Sequence, residues 1–259
     1  MHRLLFACLP CLLATSLFAQ PQIGGGTCSS SSLTGSYSLT LTARDVSSSA
    51  SFTKTLQGIG TATFDGLSKA TFNLTNNTNQ TAGMSQTWSG TYSMQSNCVG
   101  VVTITTGDTA SFGVGVYNEG KDYVLTGQDG VYSFTGSGSL LPATCPASIP
   151  AGSYPFNGSG FTLSSGAITG VLYSSGLIQF SGTNALTTTA SLTADGTSVT
   201  TTTTGTYTLN SDCTATATET DTLGNTYALV FTFTSAMASN FIFSGASSQI
   251  AFSGSGRIL

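Results

Sequence analysis

The sequence predicts an all-β protein built from two tandem antiparallel up-and-down β-barrels of about eight strands each, with β-sandwiches as the alternative. Three observations favour this fold. Apolar and hydroxyl-bearing residues alternate through most of the chain, sequence blocks recur at an offset near 116 residues, and turn-forming dipeptides separate the alternating segments. No window of a dozen residues carries an apolar stripe of helical period.

Residues 1–19 have the layout of a cleavable secretory signal peptide. The basic Arg3 precedes a run of mainly apolar residues, and small residues lead up to Ala19. An uncleaved membrane anchor is the alternative, but the run is interrupted by Pro10 and is shorter than the about 20 residues that a helical span requires. We therefore expect a secreted, periplasmic or cell-surface protein with no membrane span after signal removal. Residues 20–27 are assigned to an N-terminal linker.

The alternation of side chains defines the strands. Between Ser36 and Thr42, the apolar residues Tyr37, Leu39 and Leu41 fall on one face and hydroxyl-bearing residues fall on the other. Turn signals separate such segments and lie at Asp65-Gly66, Gly107-Asp108, Asn118-Glu119-Gly120, Asp129-Gly130, Asp195-Gly196 and Gly224-Asn225. Short-linked antiparallel strands with one apolar face must bury that face and protect their edges, so we favour closed barrels.

The chain contains the same domain twice. Matching blocks recur in the same order, and they are Gly35-Ser36-Tyr37 with Gly152-Ser153-Tyr154, Gly90-Thr91-Tyr92 with Gly205-Thr206-Tyr207, Ser96-Asn97-Cys98 with Ser211-Asp212-Cys213, Tyr123-Val124-Leu125-Thr126-Gly127 with Phe241-Ile242-Phe243-Ser244-Gly245, and Phe134-Thr135-Gly136-Ser137-Gly138 with Phe252-Ser253-Gly254-Ser255-Gly256. A period near 116 residues is that of a domain, because solenoid units run to about 20–50 residues.

A proline-rich segment separates the two copies. Four of the chain's six prolines fall in or beside it: Pro142, Pro146, Pro150 and Pro155. Proline stiffens a connector and cannot donate into a sheet ladder. We assign residues 28–141 to the first β domain, residues 142–150 to the linker and residues 151–259 to the second β domain, with Cys145 in a disulfide arm.

Four cysteines remain after signal removal, and their even number in an exported chain indicates two disulfides. They are Cys28, Cys98, Cys145 and Cys213. Three connectivities are open from the count alone. The repeat selects Cys28–Cys98 and Cys145–Cys213, because each copy then carries one bond at an equivalent position. None of these four cysteines stands in a Cys-x-x-Cys spacing, so we expect no zinc site.

A Gly-[Ser/Thr]-Tyr block followed by a cysteine occurs in both copies, with Tyr92 six residues before Cys98 and Tyr207 six residues before Cys213. This pattern resembles segments of uncharacterised small secreted bacterial β-proteins. The resemblance extends over both copies and implies a β-fold and export. It implies no activity and no catalytic residues.

The composition excludes several functional classes. Only 6% of residues are charged, and the formal net charge of −4 disfavours nucleic-acid binding. The only histidine, His2, lies in the predicted signal, which excludes a Ser-His-Asp triad and histidine-ligated metals from the mature chain. Glu119, Asp122 and Asp129 form the densest carboxylate cluster, but they lie in predicted turns and are not repeated in the second copy. We interpret them as structural and expect no metal and no cofactor.

Five aromatic residues are the candidate ligand-binding residues, because they would line the lumen of a barrel: Trp88, Tyr37, Tyr92, Tyr154 and Tyr207. An aromatic ring can also stack on a sugar. Packing in the barrel core is the alternative role.

Catalysis usually requires titratable groups placed together, and few are present. We therefore predict a secreted non-enzymatic protein with a binding or structural role at the cell surface or outside the cell, its partner a cell-surface component. The alternative is a carrier of a small apolar ligand, or a barrel enzyme of the isomerase or cyclase type. One outer-membrane barrel of about sixteen strands also fits the alternation, but internal disulfides and a proline-rich linker argue against it.

Overall fold

The computed structural model describes residues 27–46, 55–78 and 83–259. The predicted signal peptide, and the predicted N-terminal linker apart from Thr27, lie outside these residues. The described residues form two closed antiparallel barrels of eight strands in tandem. The predicted fold is confirmed, and both the β-sandwich alternative and a single sixteen-stranded barrel are wrong.

Each strand pairs with the next along the chain, and the last strand of each barrel pairs with its first. The first barrel comprises β1 (Thr34–Asp45), β2 (Thr55–Asp65), β3 (Lys69–Thr78), β4 (Met84–Met94), β5 (Val99–Thr106), β6 (Ala110–Tyr117), β7 (Asp122–Gln128) and β8 (Tyr132–Ser139). The second comprises β9 (Gly152–Ser164), β10 (Ala167–Phe180), β11 (Ala185–Ala194), β12 (Thr197–Leu209), β13 (Thr214–Asp221), β14 (Thr226–Phe233), β15 (Asn240–Ala246) and β16 (Ile250–Arg257). Two 3-10 turns are also present, Ser30–Ser32 and Asn118–Gly120.

Strand alternation directs one face of each strand into a barrel. The apolar residues predicted for the inner face of β1 are buried: Tyr37, Leu39 and Leu41. In the first barrel, Phe64 packs edge-to-face on Tyr92 with ring centroids 5.1 Å apart. In the second, Phe231 packs in the same way on Phe241 at 5.3 Å. Such aromatic pairs add about 0.5–1.5 kcal/mol beyond the burial of their area.

The turn residues explain where strands end. Asp195 and Gly196 join β11 to β12 with φ values of 50° and 79°, as a type I′ hairpin requires. At the β2–β3 turn, the backbone N–H groups of Lys69, Leu67 and Ser68 donate to Oδ1 of Asp65 and lower the pKa of its carboxyl. The predicted turn signals therefore act through positive φ and through side-chain acceptors.

An arm before the first strand closes the same end of each barrel. The disulfides Cys28–Cys98 and Cys145–Cys213 anchor these arms, and they are the pairs that the repeat predicts. Leu33 is 0% exposed and Ile149 is 1% exposed, so each arm inserts one aliphatic side chain into its barrel. The equivalent cysteines Cys98 and Cys213 share a positive φ, at 65° and 66°. The duplication therefore preserves backbone geometry as well as sequence.

The two barrels pack against each other through polar outer faces. Every residue of β2 from Thr55 to Ala62 is buried, because its outer side faces β14, β15 and β16. Asn77 donates from Nδ2 to Ser244 Oγ at 2.7 Å, and Ser253 Oγ donates to Gln57 Oε1 at 2.8 Å. The alternation pattern alone does not indicate this burial of outward-facing hydroxyl and amide groups.

Candidate functional site

The five aromatic residues predicted to bind ligand all lie in the packed cores. They are Trp88, Tyr37, Tyr92, Tyr154 and Tyr207, and each is at most 7% exposed. The hydroxyls of Tyr37, Tyr92 and Tyr154 donate to backbone carbonyls, as in the 2.7 Å hydrogen bond from Tyr37 to Gly120. The structure separates the five between two cores and does not bring them together at one cavity. Their role in binding stays a prediction.

The carboxylate cluster is divided between the two ends of β7. Asp122 is the first residue of β7 and accepts a 2.7 Å hydrogen bond from Asn118 Nδ2. Asp129 follows the strand and accepts from the backbone N–H groups of Val131 and Tyr132. At about 3.4 Å per residue, a strand of this length separates the two carboxyls by roughly 20 Å. Paired carboxylates of glycosidases lie about 5–9.5 Å apart, so Asp122 and Asp129 are too far apart to form such a pair. Glu119 lies in the turn that precedes Asp122.

A buried carboxylate lies in the lumen of the second barrel. Glu219 is 3% exposed and projects inward from β13. Thr188 Oγ1 donates to one of its carboxylate oxygens at 2.7 Å, and Thr203 Oγ1 donates to the other at 2.9 Å. Burial raises the pKa of Glu219, and the two hydroxyl donors partly oppose that rise.

The first barrel places apolar side chains at the same three positions. Thr188 pairs with Thr203 across β11 and β12, as Phe72 pairs with Trp88 across β3 and β4. Glu219 pairs with Gly205, as Ile104 pairs with Gly90. The second barrel therefore has Thr, Thr and Glu where the first has Phe, Trp and Ile. Aligning the two copies strand by strand would have revealed this carboxylate at an inward-facing position, whereas matching only the most similar blocks missed it.

This difference is accompanied by a cavity of about 40 Å³ inside the second barrel. Its apolar lining includes Phe156, Ile178, Leu229, Phe243 and Phe252. Its polar lining adds the hydroxyl of Ser174, which is buried and has no hydrogen-bond partner. A volume of this size holds only a few water molecules or a very small solute.

The raised pKa of Glu219 makes stability depend on pH. A carboxyl whose pKa is higher in the folded state contributes stability fully below its ordinary value of 4.5, and this contribution is lost as pH rises through the folded pKa. We expect Glu219→Gln to raise the free energy of unfolding by about 1 kcal/mol at about pH 8 and to have no such effect at about pH 4. Urea unfolding of both proteins at the two pH values measures the difference. An equal effect at both would contradict it.

A long groove runs between the outer faces of the barrels. Two adjoining cavities of about 640 and 650 Å³ form it and share Thr40, Asn157, Ile242 and Ser255. A third cavity of about 300 Å³ lies further along the same strands at Arg44 and Phe161, where the guanidinium carbon is 5.9 Å from the ring centroid. We name the first two cavities the inter-barrel groove.

Hydroxyl groups dominate the lining of the inter-barrel groove. The hydroxyl-bearing residues are Ser38, Thr40, Thr42, Tyr117, Ser137 and Ser139 from the first barrel and Ser159, Tyr173, Ser175, Ser191, Thr193, Thr234, Ser253 and Ser255 from the second. Ser174 also borders the groove, but its hydroxyl is buried on the lumen side of β10. Among the described residues that line it, Arg257 is the only one with a charge. The groove is therefore polar and nearly neutral.

Tyr173 forms an aromatic platform in the groove. Its side chain is 62% exposed. Its cross-strand neighbours are Ser159 on β9 and Thr193 on β11, so hydroxyls flank the ring on both sides. Such neighbours lie about 4.5–5.5 Å away at Cβ. Tyr117 supplies a second exposed ring, at 39% exposure, at the other end of the groove.

Comparison with known proteins leaves the family of this chain open. No family model matches the chain, and no curated protein matches it. Among solved structures, it is similar to a protein of unknown function of the DUF3598 family from Nostoc punctiforme. That similarity has 8% identity and a TM-score of 0.27, and it covers 88% of this chain and 97% of the other.

The chemistry that the groove and the lumen offer is that of hydrogen bonding. In the described part of the chain, no group of three or more His, Cys, Asp or Glu residues is placed to hold a metal ion. The described residues also include no helix that is long and apolar enough to cross a membrane. The groove offers donors, acceptors and aromatic faces to a ligand, and the lumen of the second barrel offers one carboxyl.

Proposed function

We propose that this chain is an exported, non-enzymatic binding protein that holds a neutral, hydroxyl-rich ligand, such as an extracellular polysaccharide, in the inter-barrel groove. The observation that carries the proposal is the exposed ring of Tyr173 between the hydroxyls of Ser159 and Thr193. A pyranose ring has an apolar C–H face that packs on an aromatic ring, and its hydroxyls are matched by side-chain hydroxyls, which both donate and accept.

Export is supported by the cysteines and by the leader-like sequence. The two disulfides are consistent with an oxidising compartment. Residues 1–19 have the sequence pattern of a secretory signal. Together with the resemblance to small secreted bacterial β-proteins, these features favour a location outside the cytoplasm of a bacterium, in the periplasm, at the cell surface or beyond it.

The sparse charge of the groove favours a neutral ligand over an anionic one. Recognition of sulfate, phosphate or uronate groups usually relies on several Arg or Lys side chains. Among the described residues that line the groove, Arg257 is the only Arg or Lys. A cationic ligand would need carboxylates, and the described part of the groove lining includes none. A neutral chain is bound instead by hydrogen bonds and by aromatic contact.

The same lining favours binding over hydrolysis. Glycoside hydrolysis uses two carboxyl groups flanking the scissile bond. The described residues of the groove supply neither, and Glu219 faces the lumen of the second barrel on the other side of the sheet wall. We therefore expect the ligand to leave the groove chemically unchanged.

Removing the aromatic platform is the test of this proposal. We expect Tyr173→Ala to weaken binding of the best ligand among cellohexaose, maltohexaose and xylohexaose by about tenfold, because a central aromatic contact contributes about 1–2 kcal/mol. Isothermal titration calorimetry on the full mature chain measures the change.

The control is the triple variant Glu119→Gln, Asp122→Asn and Asp129→Asn. These carboxyls serve turns at the ends of β7 and do not line the groove, so binding should be unchanged. If the triple variant loses binding with the fold intact while Tyr173→Ala does not, the site lies at the carboxylates and the proposal is wrong.

The carrier alternative requires a larger cavity than the second barrel provides. Pockets for drug-sized ligands measure about 300–1,000 Å³, and the cavity of the second barrel is about 40 Å³. In the first barrel, Phe72, Trp88 and Ile104 occupy the positions equivalent to the polar wall of that cavity. The space inside the barrels is therefore too small for a drug-sized apolar ligand, and the inter-barrel groove remains our proposed binding site.

A further inference from the structure

The lumen of the second barrel carries a site that is chemically distinct from the groove. Its polar wall consists of Thr188, Thr203 and Glu219 on three neighbouring strands, and its other walls are aromatic and aliphatic. We propose that this cavity binds a small primary ammonium ion, which donates to the Glu219 carboxylate and the Ser174 hydroxyl and places its alkyl end against Phe243. This site is independent of the proposed function of the groove.

Ser174 is the first observation that points to a ligand. Its side chain is 6% exposed, its Oγ lines the cavity, and no partner accepts from it or donates to it. A buried hydroxyl without a hydrogen bond costs about 1–3 kcal/mol, so buried polar groups in folded proteins nearly always have partners. A solute inside the cavity would supply the missing hydrogen bond.

Glu219 determines the charge of that solute. Both threonine hydroxyls donate their hydrogen bonds to the carboxylate. Their oxygen lone pairs can still accept hydrogen bonds from a ligand. Among the described residues that line the cavity, none is a lysine or an arginine. A buried carboxylate without a cation is costly, and an ammonium group provides the opposite charge together with three donors.

The other titratable groups near Glu219 do not supply this charge. Tyr227 lines the cavity from β14, and its hydroxyl donates to Asp221 Oδ2 at 3.1 Å at the end of β13. Desolvation and the nearby Asp221 raise the pKa of Tyr227 to about 12, so it stays neutral. The lining residues of β9, β10, β11, β12, β15 and β16 carry no ionisable group. A bound cation would therefore interact mainly with Glu219.

The volume of the cavity limits the size of the ligand. About 40 Å³ admits an ammonium group with one or two carbon atoms. The first barrel lacks the site, since Phe72, Trp88 and Ile104 fill the equivalent positions. The duplication thus provides an internal negative control within one chain.

Titration with methylammonium chloride tests the proposal, with methanol as the neutral ligand of similar size. We expect the methyl resonances of Leu229 and Ile250, which line the cavity, to shift saturably with a dissociation constant in the millimolar range, as befits about two non-hydrogen atoms. Methanol should bind at least about tenfold more weakly. Affinity for methylammonium should rise with pH, because the cation binds the ionised form of Glu219.

Two nearly isosteric variants locate the ion. Glu219→Gln should weaken methylammonium binding by at least about tenfold and leave methanol unaffected, and Ser174→Ala should weaken it severalfold. Glu119→Gln, in an exposed turn that lines neither the groove nor the lumen cavity, should leave methylammonium binding unchanged. Equal affinity for methanol, unchanged binding by Glu219→Gln, or no saturable shift of the lumen resonances would each overturn the proposal.

Discussion

Gly205→Ala is expected to destabilise the second barrel by about 3 kcal/mol or more. A Cβ atom at this position would lie 2.0 Å from the carbonyl oxygen of Thr218 and 2.8 Å from Cα of Glu219. Both atoms belong to the backbone of β13, so no side-chain rotation relieves the clash. The strand pair β12–β13 would have to separate beside the Glu219 carboxyl. Urea unfolding followed by circular dichroism measures the loss.

The duplicated chain offers controls for this substitution. Gly90 in the first barrel is the equivalent residue, with its Cβ position 1.9 Å from Thr103 O, so Gly90→Ala should act alike. Gly130 has no atom within 4 Å of its Cβ position, so Gly130→Ala should change stability by less than about 0.5 kcal/mol. If Gly205→Ala proves as mild as Gly130→Ala, the close packing of β12 on β13 is incorrect.

Removal of the second disulfide, by Cys145→Ala with Cys213→Ala, should cost about 4 kcal/mol. The bond joins residues 68 positions apart, so its loss restores much chain entropy to the unfolded state. It also frees the arm that inserts Ile149 into the barrel end. Chemical denaturation of the oxidised variant and the wild type gives the difference.

The single tryptophan reports which barrel responds. Trp88 lies in the core of the first barrel, so its fluorescence follows that barrel alone. Loss of Cys145–Cys213 should shift the circular dichroism transition more than the Trp88 transition, and loss of Cys28–Cys98 should shift the Trp88 transition strongly. Identical shifts for both variants would contradict separate bonds serving separate barrels.

Much of the fold could be predicted from the sequence, because alternation is visible within each strand and the duplication is visible when one copy is compared with the other. Tyr37, Leu39 and Leu41 point inward as their spacing predicts, and equivalent positions in the repeat select both disulfides. The barrel interiors follow from these signals. The alternation of side chains along a strand shows which residues share a face, but it does not show what packs against the outer face of the sheet.

The packing between the barrels and the two candidate sites could not be predicted from alternation. Thr232 and Ser244 face outward from β14 and β15, yet both are 0% exposed, since the first barrel covers them. The sequence around Tyr173 does not distinguish it from other strand residues, because its flanking hydroxyls come from β9 and β11. Glu219 breaks the inward apolar pattern, and only comparison with Ile104 makes that visible.

The most direct test of the central claim is chemical-shift mapping of the isotopically labelled mature chain with the tightest-binding of the three neutral hexasaccharides. Binding in the inter-barrel groove predicts shifts clustered at Thr40, Thr42, Asn157, Tyr173 and Thr193, which line one continuous surface. Shifts clustered on faces that point away from the partner barrel, or no saturable shift with any of the three sugars, would contradict it.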